Sequence, residues 1–133
     1  MPHETEFLGT PDEWMEYARS DLALAGEPHG PRVRLETVCF HAQQAVEKAV
    51  KAVLVQAGVT FPKVHSIERL LDLLPAAIER TPDLLKSRTL SAYATVPRYP
   101  SALEPVSEQR AREVLRVAEA VVAWAEDVLR LSK

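Results

Sequence analysis

Along CFHAQQAVEKAVKAVL, residues 39–54, a polar stripe of His41, Gln44, Lys48 and Lys51 recurs at helical spacing, with Glu47 among them. Groups of these types within a few turns of one helix can line a polar groove, trading hydrogen bonds and balancing a charged ligand. A plainer arrangement is also available. Glu47 and Lys51 are four apart, and as a surface ion pair they would contribute only about 0.2–0.5 kcal/mol, with the glutamines solvated. The expectation combines the two: His41, Gln44 and Glu47 meet another helix or a second chain, while Lys48 and Lys51 stay in water. Lys48 is then free to touch phosphate.

A second polar site is Arg98-Tyr99-Pro100. Prolines at 97, 100 and 105 stiffen the segment and favour extended backbone before each ring. A stiff loop presents its side chains at low ordering cost. Arginine forks onto phosphate and tyrosine stacks on a base, so Arg98 and Tyr99 join Lys48 as candidate nucleotide contacts. The competing structural role is an arginine tied to a helix end and a tyrosine filling the end of a bundle. Arg34 and His41 also share a helix face, but two turns hold them roughly 10 Å apart, and the pairing is read as coincidence. His65 precedes a predicted helix cap and is expected to complete a backbone hydrogen bond. His3, His29, His41 and His65 are too scattered for zinc, and no phosphate loop or nucleophile motif occurs. Neither metal nor cofactor is expected.

These residues must be positioned by helices. Cys39, Ala42, Val46, Ala49 and Val53 form one apolar stripe, on a helix expected from about Arg32, with Pro31 in its first turn, to Ala57, ended by Gly58. Before it, Pro11 starts a helix with the stripe Trp14, Ala18, Leu22, Ala25, leaving Tyr17, Arg19 and Asp21 to solvent. After it, Ser66 caps a third helix carrying Ile67, Leu70, Leu71, Leu74, Ala77 and Ile78 inward, with a kink or break at Pro75. Pro82 restarts the chain to about Ala94, anchored by Leu85, Leu90 and Tyr93. Val96–Pro105 reads as largely non-helical. Ser107 caps a last helix to about Leu131 that buries Ala111, Val114, Leu115, Ala118, Val121, Val122, Ala125, Val128 and Leu129, with Trp124 at its edge. No stretch alternates with period two. The expected fold is an all-α antiparallel bundle of four to five helices in one domain over 1–133, with 1–10 irregular.

Composition sets outer bounds. A hydrophobic share of 47% with 26% charged residues suits a soluble globular chain, and a net charge of -3 argues against a generally basic nucleic-acid binder. The lone Cys39 excludes an internal disulfide and is expected in the core. No apolar run is long enough for a membrane span, and the start of the chain has no signal core, so a cytoplasmic address is expected.

FHAQQAVEKAVKAVL resembles the second helix of the HEPN domain (higher eukaryotes and prokaryotes nucleotide-binding). Trp14 with Ala18, Asp21 and Leu22, then His65-Ser66-Ile67 with Leu70-Leu71, then Arg98-Tyr99-Pro100 agree in order along the chain. The resemblance implies a helical bundle, homodimers and, in ribonuclease members, an Arg followed after four to six residues by a His near the last helix. Arg98 matches that Arg, but positions 103, 104 and 105 are Leu, Glu and Pro, and no His follows His65. The resemblance therefore implies a non-catalytic nucleotide- or partner-binding module, a companion of a minimal nucleotidyltransferase in a toxin–antitoxin-like pair. The alternative is a metal-independent ribonuclease toxin with a degenerate or relocated Arg/His site that acts on RNA.

Overall fold

A computed structural model describes residues 9–98 and 105–131, with the side chains of 95–98 excluded. Helix α1 spans Pro11–Gly26, α2 Leu35–Gln56, α3 Ile67–Asp72, α4 Pro82–Lys86 and α5 Glu108–Leu131, with a 3-10 helix at Ser87–Arg98. Among the described residues there is no strand, as the all-α expectation requires.

Each boundary has a local cause. At the start of α1, Thr10 Oγ1 accepts from the Glu13 amide at 3.1 Å while Glu13 returns a carboxylate to the Thr10 amide at 2.9 Å. This reciprocal box satisfies two orphan donors, and Pro11 needs none. Helix α2 begins at Leu35, later than expected, because Gly30–Val33 closes a turn through the Val33 amide and the Gly30 carbonyl; Pro31 belongs to that turn. Its end is a glycine stop: Gly58 has φ 73, and the Val59 amide reaches back to the Leu54 carbonyl at 2.9 Å. Ser66 and Thr81 cap α3 and α4 as oxygen acceptors.

Helix α3 stops at Asp72, before Pro75, so Ala77 is exposed and Ile78 only half-buried in a turn. Arg80 compensates for the break. Its guanidinium donates to the carbonyls of Leu71 (3.3 Å), Leu74 (2.5 Å), Pro75 (2.7 Å) and Ile78 (2.7 Å), capping the carbonyl end of the broken helix and the turn that follows it. The restart at Pro82 is α-helical for only five residues and then tightens to a 3-10 helix. That change of winding rotates the faces: Leu84 is fully buried and Leu85 is exposed, while Leu90 and Tyr93 are buried as expected. The 3-10 winding also carries through Pro97 to Arg98, where an irregular segment was expected.

Side-chain partners give the directions. Asp21 meets His41, Tyr17 meets Lys48, and Trp14 meets Lys51, so α1 and α2 run antiparallel. Asp83 pairs with Arg116 and Tyr93 with Arg110, so the segment from α4 through the 3-10 helix runs opposite to α5. The four legs go up, down, up, down. Helix α2 is the central leg and packs against α1, α5 and the 3-10 helix. Ala42, Ala45, Ala49 and Ala52 are all fully buried, and such small side chains let neighbouring helices close in on three sides of α2. Leu115 and Val128, expected inside, are only half-buried at the edge of this core.

Candidate functional site

The polar residues of α2 divide into two constellations, each built around one carboxylate. Asp21 of α1 is the first centre. Its Oδ1 lies 3.0 Å from His41 Nδ1 and its Oδ2 accepts from Lys48 Nζ at 2.5 Å. All three side chains are mostly covered, with exposures of 14% for Asp21, 26% for His41 and 23% for Lys48. Phe40 stands edge-on to the His41 ring at 5.2 Å, and the Lys48 ammonium lies 5.8 Å from the centroid of the exposed Tyr17 ring. A carboxylate only accepts, so the proton on His41 sits at Nδ1 and the ring is held in one orientation.

Glu47 is the second centre and lies deeper. It accepts from Gln43 Nε2 at 3.1 Å, from Lys51 Nζ at 2.9 Å and from His65 Nδ1 at 3.1 Å. Gln43 also donates to the His65 carbonyl at 3.3 Å, and Gln44 donates to Gln43 Oε1 at 2.7 Å. Lys51 is capped by aromatic faces, 5.4 Å from Trp14 and 5.6 Å from Phe61. This network ties the α2–α3 connector to the middle of α2.

Several expectations change. Glu47 and Lys51 do form the i,i+4 pair, but inside the protein, with side-chain exposures of 3% and 9%. Glu47 is enclosed by its own chain and offers no surface to an interface. Lys48 is not solvated either, since Asp21 holds its ammonium. His65 uses its ring on Glu47 and leaves the backbone bond to its carbonyl. His41 meets Asp21 of α1, whereas Gln44 donates to its neighbour Gln43 on the same helix. Tyr99 lies outside the described residues, as does the side chain of Arg98. Arg34 turns to Glu36, with Nε 3.2 Å from Oε2, and is not joined to His41.

Asp21 was missed as a site residue, although its position carried a signal. Trp14, Ala18, Asp21 and Ala25 are spaced 4, 3 and 4 apart, so the acid interrupts an apolar helix face and requires a partner. Glu47, set with Lys48 between the apolar pairs Ala45-Val46 and Ala49-Val50, gives the same warning.

Two hollows flank the connector between α1 and α2. One, of about 370 Å³, is lined by Leu24, Glu27, Pro28, His29, Val33, Thr37, Val38 and His41. Its neighbour, of about 310 Å³, reaches Leu35, Ala111, Arg112 and Leu115. Nearby, the Arg34 guanidinium hydrogen-bonds Glu36 and lowers its pKa from the ordinary 4.5, helped by backbone donors that include Val106 N–H. Burial pushes the Cys39 thiol up to about 11, so it is inert at neutral pH. No group of three or more His, Cys, Asp or Glu among the described residues is placed to hold a metal ion. No described helix is long and apolar enough to cross a membrane.

Comparison with known proteins gives concordant matches. A family model described as HEPN domain matches residues 11–128. "Putative toxin MJ1304" of Methanocaldococcus jannaschii is 31% identical, over 68% of this chain and 70% of that protein. The crystal structure of TT1696 from Thermus thermophilus superposes with a TM-score of 0.73 at 29% identity, covering 89% of this chain and 97% of the other. ST0689, an archaeal HEPN homologue, gives 0.66 at 29% identity, covering 90% and 98%.

Proposed function

This chain belongs to the HEPN domain family, and from that premise we propose that it is a non-catalytic binding module of the toxin–antitoxin type, acting in the cytoplasm. It binds nucleotide and a protein companion, a minimal nucleotidyltransferase, and it works as a homodimer through α2 and the loop around Arg98. The relative named as a toxin supports the toxin–antitoxin setting. The observation that carries the non-catalytic part is the absence of any His after His65. Arg98 has no imidazole in the position where ribonuclease members of the family place one. Phosphate can be held by charge and hydrogen bonds alone, whereas transesterification also needs proton transfer, worth typically about 10²–10⁴-fold.

The test is direct. The purified protein should leave RNA intact with or without divalent metal, bind a nucleotide, and lose affinity on Arg98→Ala and on added salt. Light scattering should give a dimer at tens of micromolar, and co-expression with a neighbouring nucleotidyltransferase should give a stable complex. Failure to bind any nucleotide, alone or in that complex, refutes the nucleotide part.

One observation favours a second reading, a metal-independent ribonuclease with its site relocated to Arg34 and His41. Asp21 orients His41 as a proton-transfer imidazole is oriented. Against it, Arg34 is engaged with Glu36. RNA cleavage abolished by Arg34→Ala or His41→Ala would establish this reading and overturn the first.

A further inference from the structure

We propose that the hollow between the end of α1 and the start of α2 receives an amino-bearing nucleobase, with the phosphate left outside. This rests on the nucleotide-binding reading above and adds where the base goes and which edge of it is read. At about 370 Å³ the hollow lies within the size range of small-ligand sites. Leu24, Pro28, Val33 and Val38 give it apolar walls suited to a flat ring. Leu24 and Val33 are among the few large apolar side chains left exposed, at 56% and 42%, so an apolar ligand there would cover surface that the fold itself leaves wet.

The polar groups determine the ligand chemistry. His41 and His29 both line the hollow, and each has one nitrogen engaged. Nδ1 of His41 faces Asp21 Oδ1 at 3.0 Å, and Nδ1 of His29 faces the Glu27 carbonyl at 3.2 Å. Neither oxygen can donate, so both protons sit at Nδ1. With the rings neutral, each offers Nε2 as a lone-pair acceptor. Neither Nε2 has a hydrogen bond among the described residues. Glu27 adds a carboxylate, and Thr37 a hydroxyl that can serve either way.

The site is therefore rich in acceptors, and no lysine or arginine lines it. An anion would find nothing to hold it. A ring with an exocyclic amine fits: its two N–H groups meet the imidazole nitrogens, and a ring nitrogen can take the Thr37 hydroxyl. The phosphate of such a nucleotide must project out of the hollow toward cationic groups elsewhere.

The experiment titrates the full chain with AMP and with purine riboside monophosphate, which lacks only the amine. Affinities are measured for wild type, Thr37→Val and His29→Ala, both at exposed positions, while histidine ring resonances are followed by NMR. AMP should shift the His29 and His41 rings. Loss of the amine should weaken binding about tenfold or more, since acceptors covered by the bound ring are then left unpaired, and each substitution should weaken AMP binding about three- to tenfold. Equal affinity for the two nucleotides overturns recognition of the amine. AMP binding that leaves both rings and the Thr37→Val affinity unchanged overturns the placement but leaves nucleotide binding standing. Ring shifts that follow protein concentration instead of nucleotide assign the hollow to a second copy and overturn the proposal. If no nucleotide binds at all, both this inference and the reading beneath it fail.

Discussion

Glu47→Gln removes one negative charge from the middle of α2 and almost nothing else. The substitution keeps the shape of the side chain and can still accept from Gln43 or His65. What it cannot do is balance Lys51, whose side chain is 9% exposed. Breaking a buried ion pair by changing one partner typically costs about 3–5 kcal/mol, because the remaining charge is stranded. The Trp14 and Phe61 faces lie 5.4 and 5.6 Å from that ammonium and attract it both before and after the change, so they leave the difference standing. The expected loss is therefore about 3–5 kcal/mol, a large part of the stability of a typical domain of about 5–15 kcal/mol.

Urea denaturation at pH 7 reads this directly. With a slope of about 2 kcal/mol per molar, the midpoint should fall by about 1.5–2.5 M. Changing both partners, Glu47→Gln with Lys51→Met, should recover most of the loss, because an apolar side chain fits the aromatic cap without a charge to strand. A single variant within about 0.5 kcal/mol of wild type would show that water reaches Lys51 and would refute the buried-pair reasoning.

Three further outcomes are expected. Leu71→Ala, at a buried site, should cost about 2–5 kcal/mol in the same assay, and Leu115→Ala clearly less because Leu115 is half-exposed beside a hollow; equal losses would contradict the burial pattern. Cys39 should resist a thiol reagent at pH 8 while folded and react at once in urea, since its pKa is raised to about 11 by burial; rapid reaction of the native protein would refute this. Glu36 has a folded pKa below its unfolded value, so its contribution is present above the unfolded value, near 4.5, and is lost as pH falls through the lower folded one. Arg34→Ala should raise the Glu36 titration midpoint seen by NMR and shrink that acid-side loss of stability; an unmoved midpoint would remove Arg34 as the cause.

What could be read in the chain follows the range of the forces involved. Caps and stops are local, so Pro11, Ser66, Pro82 and Ser107 mark helix starts correctly, and Gly58 marks the end of α2. The apolar stripe Cys39, Ala42, Val46, Ala49, Val53 is a property of one helix and is buried throughout. Winding is less local. The passage from α4 into a 3-10 helix exchanges Leu84 for Leu85, and no residue type between 82 and 98 announces it. Arg80 closes the break at Pro75 by reaching carbonyls up to nine residues back, which helical periodicity does not show. Pairing between helices is the least visible. Lys48 and Lys51 look like solvated lysines until α1 brings Asp21 and Trp14 against them.

That pairing constrains how a nucleotide can be held. Asp21 gathers His41 and Lys48, and Glu47 gathers His65 and Lys51, so each carboxylate takes one lysine and one histidine. Both lysines of the polar stripe are thus counterbalanced within the fold. A phosphate approaching Lys48 would meet the Asp21 carboxylate beside it, and Coulomb repulsion between the two anions offsets much of what the ammonium supplies. The phosphate-binding role expected of Lys48 therefore weakens, and under the proposed function the cation that role requires would be Arg98. The proposal then puts base and phosphate recognition on different parts of the chain: an acceptor-lined hollow beside the α1–α2 connector, and an arginine where the 3-10 helix ends. A single bound nucleotide can engage both only if they lie within its span, in one chain or across a dimer. Arg98→Ala and Thr37→Val give the means to decide. Loss of affinity for the same nucleotide from each, adding in the double variant, would place both residues on one ligand as separate contacts, while loss from only one of them would leave the other off it.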